Sequence, residues 1–257
     1  PMSARRQRQM CIRDSAKCSS NTSSLNKASP ILIILTKVAR TYLSGMGRWG
    51  KVQDRWRRMQ GLTPRPLSNL ARLAMGHRKA KRSGQPAMPS KAMPTSLSIE
   101  PTTSCNLRCP ECPSGLRAFT RPTGMLDVAD AVRWLDDLAP WLTYVNLYFQ
   151  GEPLLHPQLD TLIARCTDHN LYSSTSTNAH HLTDAQCHKL IDAGLSRLII
   201  SIDGLTQDTY SSYRIGGSLH KVMEGTQTMV NAKRQRGRGP HFCLLYTSDA
   251  ADEHSCV

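Results

Sequence analysis

Three cysteines, Cys105, Cys109 and Cys112, lie within eight residues of the chain, in the run Cys-Asn-Leu-Arg-Cys-Pro-Glu-Cys. Thiolates are the ligands that iron–sulfur clusters and zinc prefer in proteins. Three of them on one short loop can each bind one iron of a four-iron cluster and leave the fourth iron open. The spacing therefore predicts a metal site with room for one further ligand.

A zinc site is the alternative use of these cysteines, and it needs a fourth Cys or His to close its tetrahedron. The sequence has no second cysteine pair at zinc-binding spacing. Cys166 and Cys187 stand alone inside predicted helices, where we expect small buried apolar side chains. The zinc interpretation would make the chain a basic, non-enzymatic protein associated with nucleic acid, and we favour the iron–sulfur interpretation.

The positive charge of the chain is concentrated in its N-terminal third. The net charge is +14, yet residues 1–98 carry 20 Lys and Arg against two acids, whereas the remainder has 13 basic and 17 acidic side chains. Such a segment can bind nucleic acid or a membrane surface, and Trp49 and Trp56 among its arginines suit either role. We favour the plainer interpretation of a solvated leader, so a nucleic-acid partner is not predicted.

The cysteine count and the hydropathy pattern indicate the compartment. Nine cysteines, an odd number with three crowded together, do not suggest a disulfide framework and fit a reducing environment. No stretch approaches the roughly 18 consecutive apolar residues of a membrane span. We therefore predict a cytoplasmic protein without a membrane span.

Short apolar runs alternate with helical patterns after residue 95, and these elements must position the cysteines. Regular β–α alternation indicates a parallel sheet with helices outside, and ligands bind at the carboxyl ends of such strands. Thr183 is predicted to cap the third helix. The predicted strands are 96–100, 144–149, 172–177, 197–202 and 241–245, and the predicted helices are 128–138, 158–168, 184–193 and 219–233.

The window 98–115, SIEPTTSCNLRCPECPSG, resembles the CxxxCxxC loop of radical S-adenosylmethionine (SAM) enzymes. It is particularly similar to the branch with a C-terminal SPASM domain, which includes peptide-modifying maturases and sulfatase maturases. The resemblance covers residues 94–242. It implies a [4Fe-4S] cluster on the three cysteines, with SAM on the open iron.

The same resemblance implies a reaction and its partners. Reductive cleavage of SAM would give a 5′-deoxyadenosyl radical that takes hydrogen from a peptide or protein substrate. The electron would come from a donor such as ferredoxin or flavodoxin. The implied fold is α/β, a partial (β/α)6 half-barrel that is truncated at its C-terminus and preceded by a basic helical or disordered leader.

Two further motifs resemble family segments that contact SAM. Gly151, Glu152 and Pro153 follow the second predicted strand, like the family's GGEP motif, and the resemblance implies that the backbone and the glutamate bind the SAM amino group. Ser176 and Asn178 close the third strand, like the family's TNG segment, and could hydrogen-bond the ribose or the methionine carboxylate. A hydroxyl-rich strand is as often a plain exposed strand, and both interpretations of this segment stay open.

The fourth strand ends in Ser201-Ile-Asp203-Gly, and strand alternation puts Ser201 and Asp203 on the same side. The resemblance implies that Ser201 faces SAM and that Asp203 lies near the ribose or the substrate. Arg214 matches an arginine that can pair with the SAM carboxylate, because a planar guanidinium suits bidentate binding. A solvated surface arginine is the alternative for this residue.

Four segments are predicted along the chain: 1–24, a non-native or disordered leader; 25–94, a basic helical region with a proline-rich linker at 83–94; 95–242, the radical SAM core; and 243–257, a non-native tail. The ends RQRQMCIRDS and CLLYTSDAADE look like translated sequencing-adapter read-through, which would leave Cys11, Cys243 and Cys256 without an evolved role. On this interpretation the chain is a fragment with weak SAM turnover.

The basic region is predicted to be helical at 31–43 and 69–77. Glycine and proline are expected to interrupt the helical pattern there. These residues are Gly45, Gly47, Gly50, Pro64 and Pro66.

Overall fold

Five parallel strands form one sheet, and their order in the sheet is their order in the chain. The structure is a computed structural model that describes residues 47–84 and 92–246. Because neighbouring strands follow one another along the chain, the sheet is the wall of a partial β/α barrel, as predicted. The strands are β1 (Ser96–Ser98), β2 (Tyr144–Asn146), β3 (Tyr172–Thr177), β4 (Arg197–Ile202) and β5 (His241–Tyr246).

The described residues also form eight α-helices and one short 3-10 helix, Pro153–Leu155. All four helices predicted between the strands are confirmed, and the Thr183 side chain accepts from the Gln186 backbone as a cap. Two short helices in the core, α3 and α7, were not predicted. The α-helices are α1 (Gly47–Gln60), α2 (Pro64–Ser83), α3 (Pro113–Leu116), α4 (Val128–Leu138), α5 (Leu159–Asp168), α6 (Asp184–Asp192), α7 (Gln207–Tyr213) and α8 (Leu219–Arg236).

The core lies between the sheet and the helices that connect its strands. β4 is buried along its whole length, and Leu135, Leu162 and Leu190 bring the inner faces of three helices against the sheet without exposed surface. Cys166 and Cys187 are fully buried in α5 and α6, as predicted. Burial raises the pKa of each thiol to about 12, so both are inert packing residues.

The polar strand β3 is also buried, so the interpretation of this segment as a plain exposed strand was wrong. Ser173, Ser174 and Thr175 have no exposed surface. The Thr175 hydroxyl donates to the Leu147 carbonyl at 2.9 Å, which satisfies a group that would otherwise be costly to bury. Ser176 is the half-buried member of β3.

Of the predicted interruptions that the structure describes, those at Gly47, Gly50 and Pro66 were wrong, whereas the helical pattern does break directly before Pro64. Gly47 and Gly50 lie within α1, and Pro64 and Pro66 lie in the first turn of α2, where a missing N–H costs no helical hydrogen bond. The two helices are separated at residues 61–63.

α1 docks against the amino ends of the strands. The Tyr172 hydroxyl, at the start of β3, donates to the Asp54 carboxylate, and Arg57 donates to the Gly239 carbonyl, just before β5, at 3.0 Å. Gly61 allows the end of α1 to approach the sheet closely, because a Cβ there would lie only 2.9 Å from the Asn170 carbonyl oxygen.

Several predictions fall outside the described residues: the leader 1–24, the helix 31–43, most of the linker 83–94, and the tail beyond residue 246. The described part of the predicted tail, 243–246, belongs to β5 and pairs with β4. Among the helices that the structure describes, none is both long enough and apolar enough to cross a membrane.

Candidate functional site

The cysteine loop leaves β1 at the carboxyl edge of the sheet, where the fold class predicts ligand binding. Cys109 is buried, whereas Cys105 and Cys112 are half-buried. The Cys112 backbone N–H donates to the Cys109 carbonyl at 3.2 Å, and Leu107, 1% exposed, anchors the loop in the core. The three thiols are thus presented on a folded turn rather than on a loose segment.

Two residues that sequence reasoning missed hold this turn in place. A Cβ at Gly115 would lie 2.4 Å from the Cys109 carbonyl oxygen, so the start of α3 can pass close to the turn only with glycine there. The buried Ser114 hydroxyl accepts from the Gly151 backbone N–H at 2.8 Å. Both residues lie within three positions after Cys112, and this proximity in sequence was the available signal.

The Gly151-Glu152-Pro153 segment after β2 packs directly on the cysteine loop. Gly151 has φ +72°, and a Cβ there would lie 2.2 Å from the Thr102 carbonyl oxygen. The Glu152 backbone N–H donates to the Ser104 carbonyl at 2.8 Å. This position therefore requires glycine both for its backbone conformation and for the close approach of the two loops.

The Glu152 carboxylate is 2% exposed and is used inside the protein. It accepts from the Thr177 hydroxyl at 2.7 Å, from the Asn178 backbone N–H at 2.8 Å and from the Leu154 backbone N–H at 3.3 Å. Burial raises the pKa of Glu152, and these three hydrogen bonds oppose the rise. The side chain joins the end of β2 to the end of β3.

Asn178 connects the end of β3 to the cysteine loop. Its side-chain amide donates to the Asn106 side-chain oxygen at 2.8 Å, and its own oxygen accepts from the His180 backbone N–H. The His180 ring in turn accepts from the Ser218 backbone N–H at 2.9 Å. The predicted contact residue Ser176 lies in β3 opposite Ile199 of β4.

Asp203 and Arg214 connect the end of β4 to the same loop. The guanidinium pairs with the buried Asp203 carboxylate through Nε and Nη2, and Nη1 donates to the Cys109 Sγ at 3.6 Å. Next to it, the Ile215 carbonyl accepts from the Arg108 backbone N–H at 2.9 Å. Arg214 is therefore not a solvated surface residue. Ser201 is buried near the end of β4.

The donor chemistry of the loop fits an iron–sulfur cluster. Burial raises the pKa of the Cys105 and Cys109 thiols, and the Arg214 guanidinium opposes this rise at Cys109. A bound metal deprotonates its thiol ligands outright, and Arg214 is placed to stabilise the resulting thiolate. In the described part of the chain, no group of three or more His, Cys, Asp and Glu side chains lies close enough together to hold a single metal ion.

The structure thus brings the ends of β2, β3 and β4 into direct contact with the cysteine loop. The connections run through Gly151 and Glu152, through Asn178, and through the Asp203–Arg214 pair. Ser176, Ser201 and Pro153 lie at the same edge of the sheet.

Comparison with known proteins identifies a family and several relatives of this chain. Residues 99–243 match the family model described as "Radical SAM superfamily". An AdoMet-dependent heme synthase of Methanosarcina barkeri is 30% identical over 54% of this chain and 40% of its own. A PqqA peptide cyclase of Methylorubrum extorquens is 31% identical over 48% of this chain and 32% of its own.

The chain therefore spans less than half the length of these relatives. Among solved structures, Streptococcus suis SuiB bound to the precursor peptide SuiA is similar, with a TM-score of 0.49 and 16% identity. That similarity covers 82% of this chain and 46% of SuiB.

Proposed function

This chain belongs to the radical SAM superfamily, and we propose that its described core holds a [4Fe-4S] cluster and cleaves SAM reductively. The observation that carries the proposal is the convergence of three strand ends on one cysteine loop. Cofactor chemistry of this kind requires ligands fixed in place before the reaction.

Cys105, Cys109 and Cys112 would hold the cluster as thiolates. A four-iron cluster held there with one open iron would supply one-electron reduction of the SAM sulfonium, which divides SAM into methionine and a 5′-deoxyadenosyl radical. The electron would come from a donor such as ferredoxin or flavodoxin. The chain's own contribution is to orient SAM and to keep water away from the reacting atoms.

The Glu152 contacts refine the proposed SAM contacts. Because its carboxylate already accepts three internal hydrogen bonds, we propose that the backbone next to Gly151, rather than the glutamate side chain, faces the SAM ammonium. Ser176, Asn178 and Ser201 are the proposed polar contacts to the ribose or the methionine carboxylate.

Arg214 is proposed to serve two groups at once. Three of its five N–H groups face Asp203 and Cys109, which leaves one N–H on Nη1 and one on Nη2 for the SAM carboxylate. Asp203 would fix the guanidinium for that contact and would itself lie near the ribose or the substrate.

The substrate is proposed to be a peptide or protein, with membership of the SPASM branch as part of the same proposal. The support is the resemblance of the cysteine window and the similarity to a PqqA peptide cyclase. A heme synthase is also similar, over 54% of this chain, so we expect the family core at residues 99–243 to supply the cofactor chemistry rather than substrate selection.

The test is reductive cleavage of SAM by the full chain after anaerobic reconstitution with iron and sulfide. We expect 5′-deoxyadenosine to form in the wild type and to be absent in Cys109→Ala. Cys187→Ala, which removes a buried thiol from α6, is the matched control and should retain cleavage. Equal cleavage by Cys109→Ala and the wild type would refute the proposal.

A further inference from the structure

α1 carries its polar side chains toward the protein and its apolar side chains toward solvent. Asp54 and Arg57 make the contacts with the strand ends. Val52, Trp56 and Met59 recur at helical spacing on the opposite face and are 55%, 61% and 51% exposed. This arrangement reverses that of an ordinary surface helix, whose apolar stripe faces the core.

α2 has the same character. Its inner face is anchored by Asn69, whose side chain makes two hydrogen bonds with the Met93 backbone, at 2.8 and 2.9 Å. On its outer side, Leu67, Leu70 and Met75 are 48%, 36% and 60% exposed. We call the outer faces of α1 and α2 the outer helical surface. Its exposed apolar residues are Val52, Trp56, Met59, Leu67, Leu70 and Met75.

The outer helical surface is strongly cationic. Residues 47–84 contain eleven Lys and Arg and one acidic residue, Asp54. That carboxylate is turned inward, where it accepts from Tyr172 and pairs with Arg58 at 3.3 Å, so it does not neutralise the outer side. The exposed basic residues that flank the apolar ones are Arg55, Arg65, Arg72, Arg78, Lys79, Lys81 and Arg82.

We propose that the outer helical surface binds the surface of an anionic lipid bilayer, with α1 and α2 lying in the plane of the membrane. Apolar side chains of this kind enter the boundary between headgroups and acyl chains. Their Lys and Arg neighbours extend along the helix sides to reach the lipid phosphates. Trp56 adds a side chain that favours this boundary.

The mixture of apolar and basic residues on this surface favours a lipid bilayer over a nucleic acid or a protein partner. A nucleic acid would engage the cations through its phosphates and would leave Val52, Met59, Leu67 and Leu70 in water. Arginine, tryptophan and methionine are common in protein–protein interfaces too, but lysine is depleted there, and this surface exposes Lys79 and Lys81 beside Arg78 and Arg82. A bilayer surface accommodates both groups at once, because its charge and its apolar region lie at different depths.

The experiment is co-sedimentation of the full chain with vesicles of phosphatidylcholine alone or mixed in equal parts with phosphatidylglycerol. We expect binding to the mixed vesicles, little binding to the neutral ones, and weaker binding as salt is raised. The Trp56→Ala/Met59→Ala variant should lose binding by on the order of tenfold or more. Arg78→Gln/Lys79→Gln should lose about fivefold for each cation removed.

The matched control is Trp134→Ala, because Trp134 is also exposed, at 48%, but lies on α4 at helical spacing from two acidic residues, Asp130 and Asp137. It should bind mixed vesicles like the wild type, and circular dichroism should show that all variants stay folded. Failure to bind mixed vesicles would overturn the proposal. The proposal would also be overturned, in favour of a nucleic-acid partner, if the chain bound duplex DNA more tightly than mixed vesicles and Trp56→Ala/Met59→Ala did not weaken the DNA binding.

Discussion

The two edges of the sheet use polar residues in different ways. At the carboxyl edge, buried hydrogen bonds join three strand ends to the cysteine loop, and the carboxylates of Glu152 and Asp203 are almost fully enclosed. At the amino edge, Asp54 and Arg57 attach one helix, and the other side of that helix is open to solvent.

This difference indicates what each edge is built to do. A dense network of buried hydrogen bonds fixes the relative positions of loops, which a cofactor site needs. Such a network is costly to disturb, because a buried polar group that loses its partner cannot form a hydrogen bond with water. A few contacts along a single helix hold an element in place and leave its outer face available. Substitutions should therefore affect cofactor binding at the carboxyl edge and helix attachment at the amino edge.

The largest expected effect is that of Gly151→Ala at the carboxyl edge. The new Cβ would lie 2.2 Å from the Thr102 carbonyl oxygen, and the residue has φ +72°, so crowding adds to backbone strain. We expect the free energy of unfolding to fall by about 3–5 kcal/mol, together with loss of bound iron. Chemical denaturation measures the first and metal analysis the second.

The matched control is Gly237→Ala, at φ +64° with open space around the Cβ position. Strain alone should cost about 1 kcal/mol there. Equal losses at the two glycines would show that the close approach of the loops is unimportant.

Arg214→Gln is expected to have the next largest effect. It removes the Arg214 cation from the Asp203 carboxylate, whose side chain is 5% exposed, which should cost about 3 kcal/mol of unfolding free energy. It also removes a cation and an N–H donor from Cys109, so the reduction potential of the reconstituted cluster should become more negative.

A redox titration followed by electron paramagnetic resonance measures that shift. Arg133→Gln, at an exposed arginine that pairs with Asp130 on α4, should change neither quantity appreciably. An unchanged potential in Arg214→Gln would restrict Arg214 to a structural role.

Tyr172→Phe tests the amino edge with a smaller expected effect. Loss of the hydroxyl that donates to Asp54 should cost about 1 kcal/mol. Backbone amides of α1 should exchange faster with solvent, while iron content and SAM cleavage stay as in the wild type. Loss of iron from Tyr172→Phe would show that the two edges of the sheet are coupled and do not have separate roles.

The smallest expected effect is a pH dependence at His180. Burial lowers its pKa below the usual 6.5, and the neutral ring accepts a hydrogen bond from the Ser218 N–H. The contribution of the neutral His180 ring to the free energy of unfolding is complete above about pH 6.5. It is lost as the pH falls through the lower pKa of the folded state. The unfolding free energy of His180→Gln should fall less than that of the wild type between about pH 7.5 and pH 5.5; parallel profiles would contradict this.

Much of the fold could be predicted because the spacing of apolar residues marks the strands and helices, and the strands lie in the sheet in their order along the chain. β3 and β4 have the predicted bounds, and the helices between strands are where their patterns place them. β1 and β2 are shorter than predicted, ending at Ser98 and Asn146, where the chain leaves the sheet for the loops of the site. The short helices α3 and α7 are set by tertiary contacts, and four to seven residues carry too little periodicity to predict them.

The site could be predicted in its members but not in its contacts. Cys109, Asn178 and Asp203 were expected near one another because parallel strand ends meet at one edge, whereas Arg214 was expected there from the family resemblance alone. That the Glu152 carboxylate faces inward, and that Arg214 reaches a cysteine sulfur, depend on how loops distant in sequence pack. The glycines of α1 and the second proline of α2 were misjudged because a position near a helix start changes their cost.

The most direct test of the central claim is the iron and acid-labile sulfide content of the full chain after anaerobic reconstitution. Cys105, Cys109 and Cys112 are predicted to hold about four iron and four sulfide per chain. The content should be unchanged in Cys166→Ala/Cys187→Ala and lost when all three loop cysteines become alanine. A colourless protein with one tightly bound zinc, or a triple variant that keeps its iron, would contradict the account.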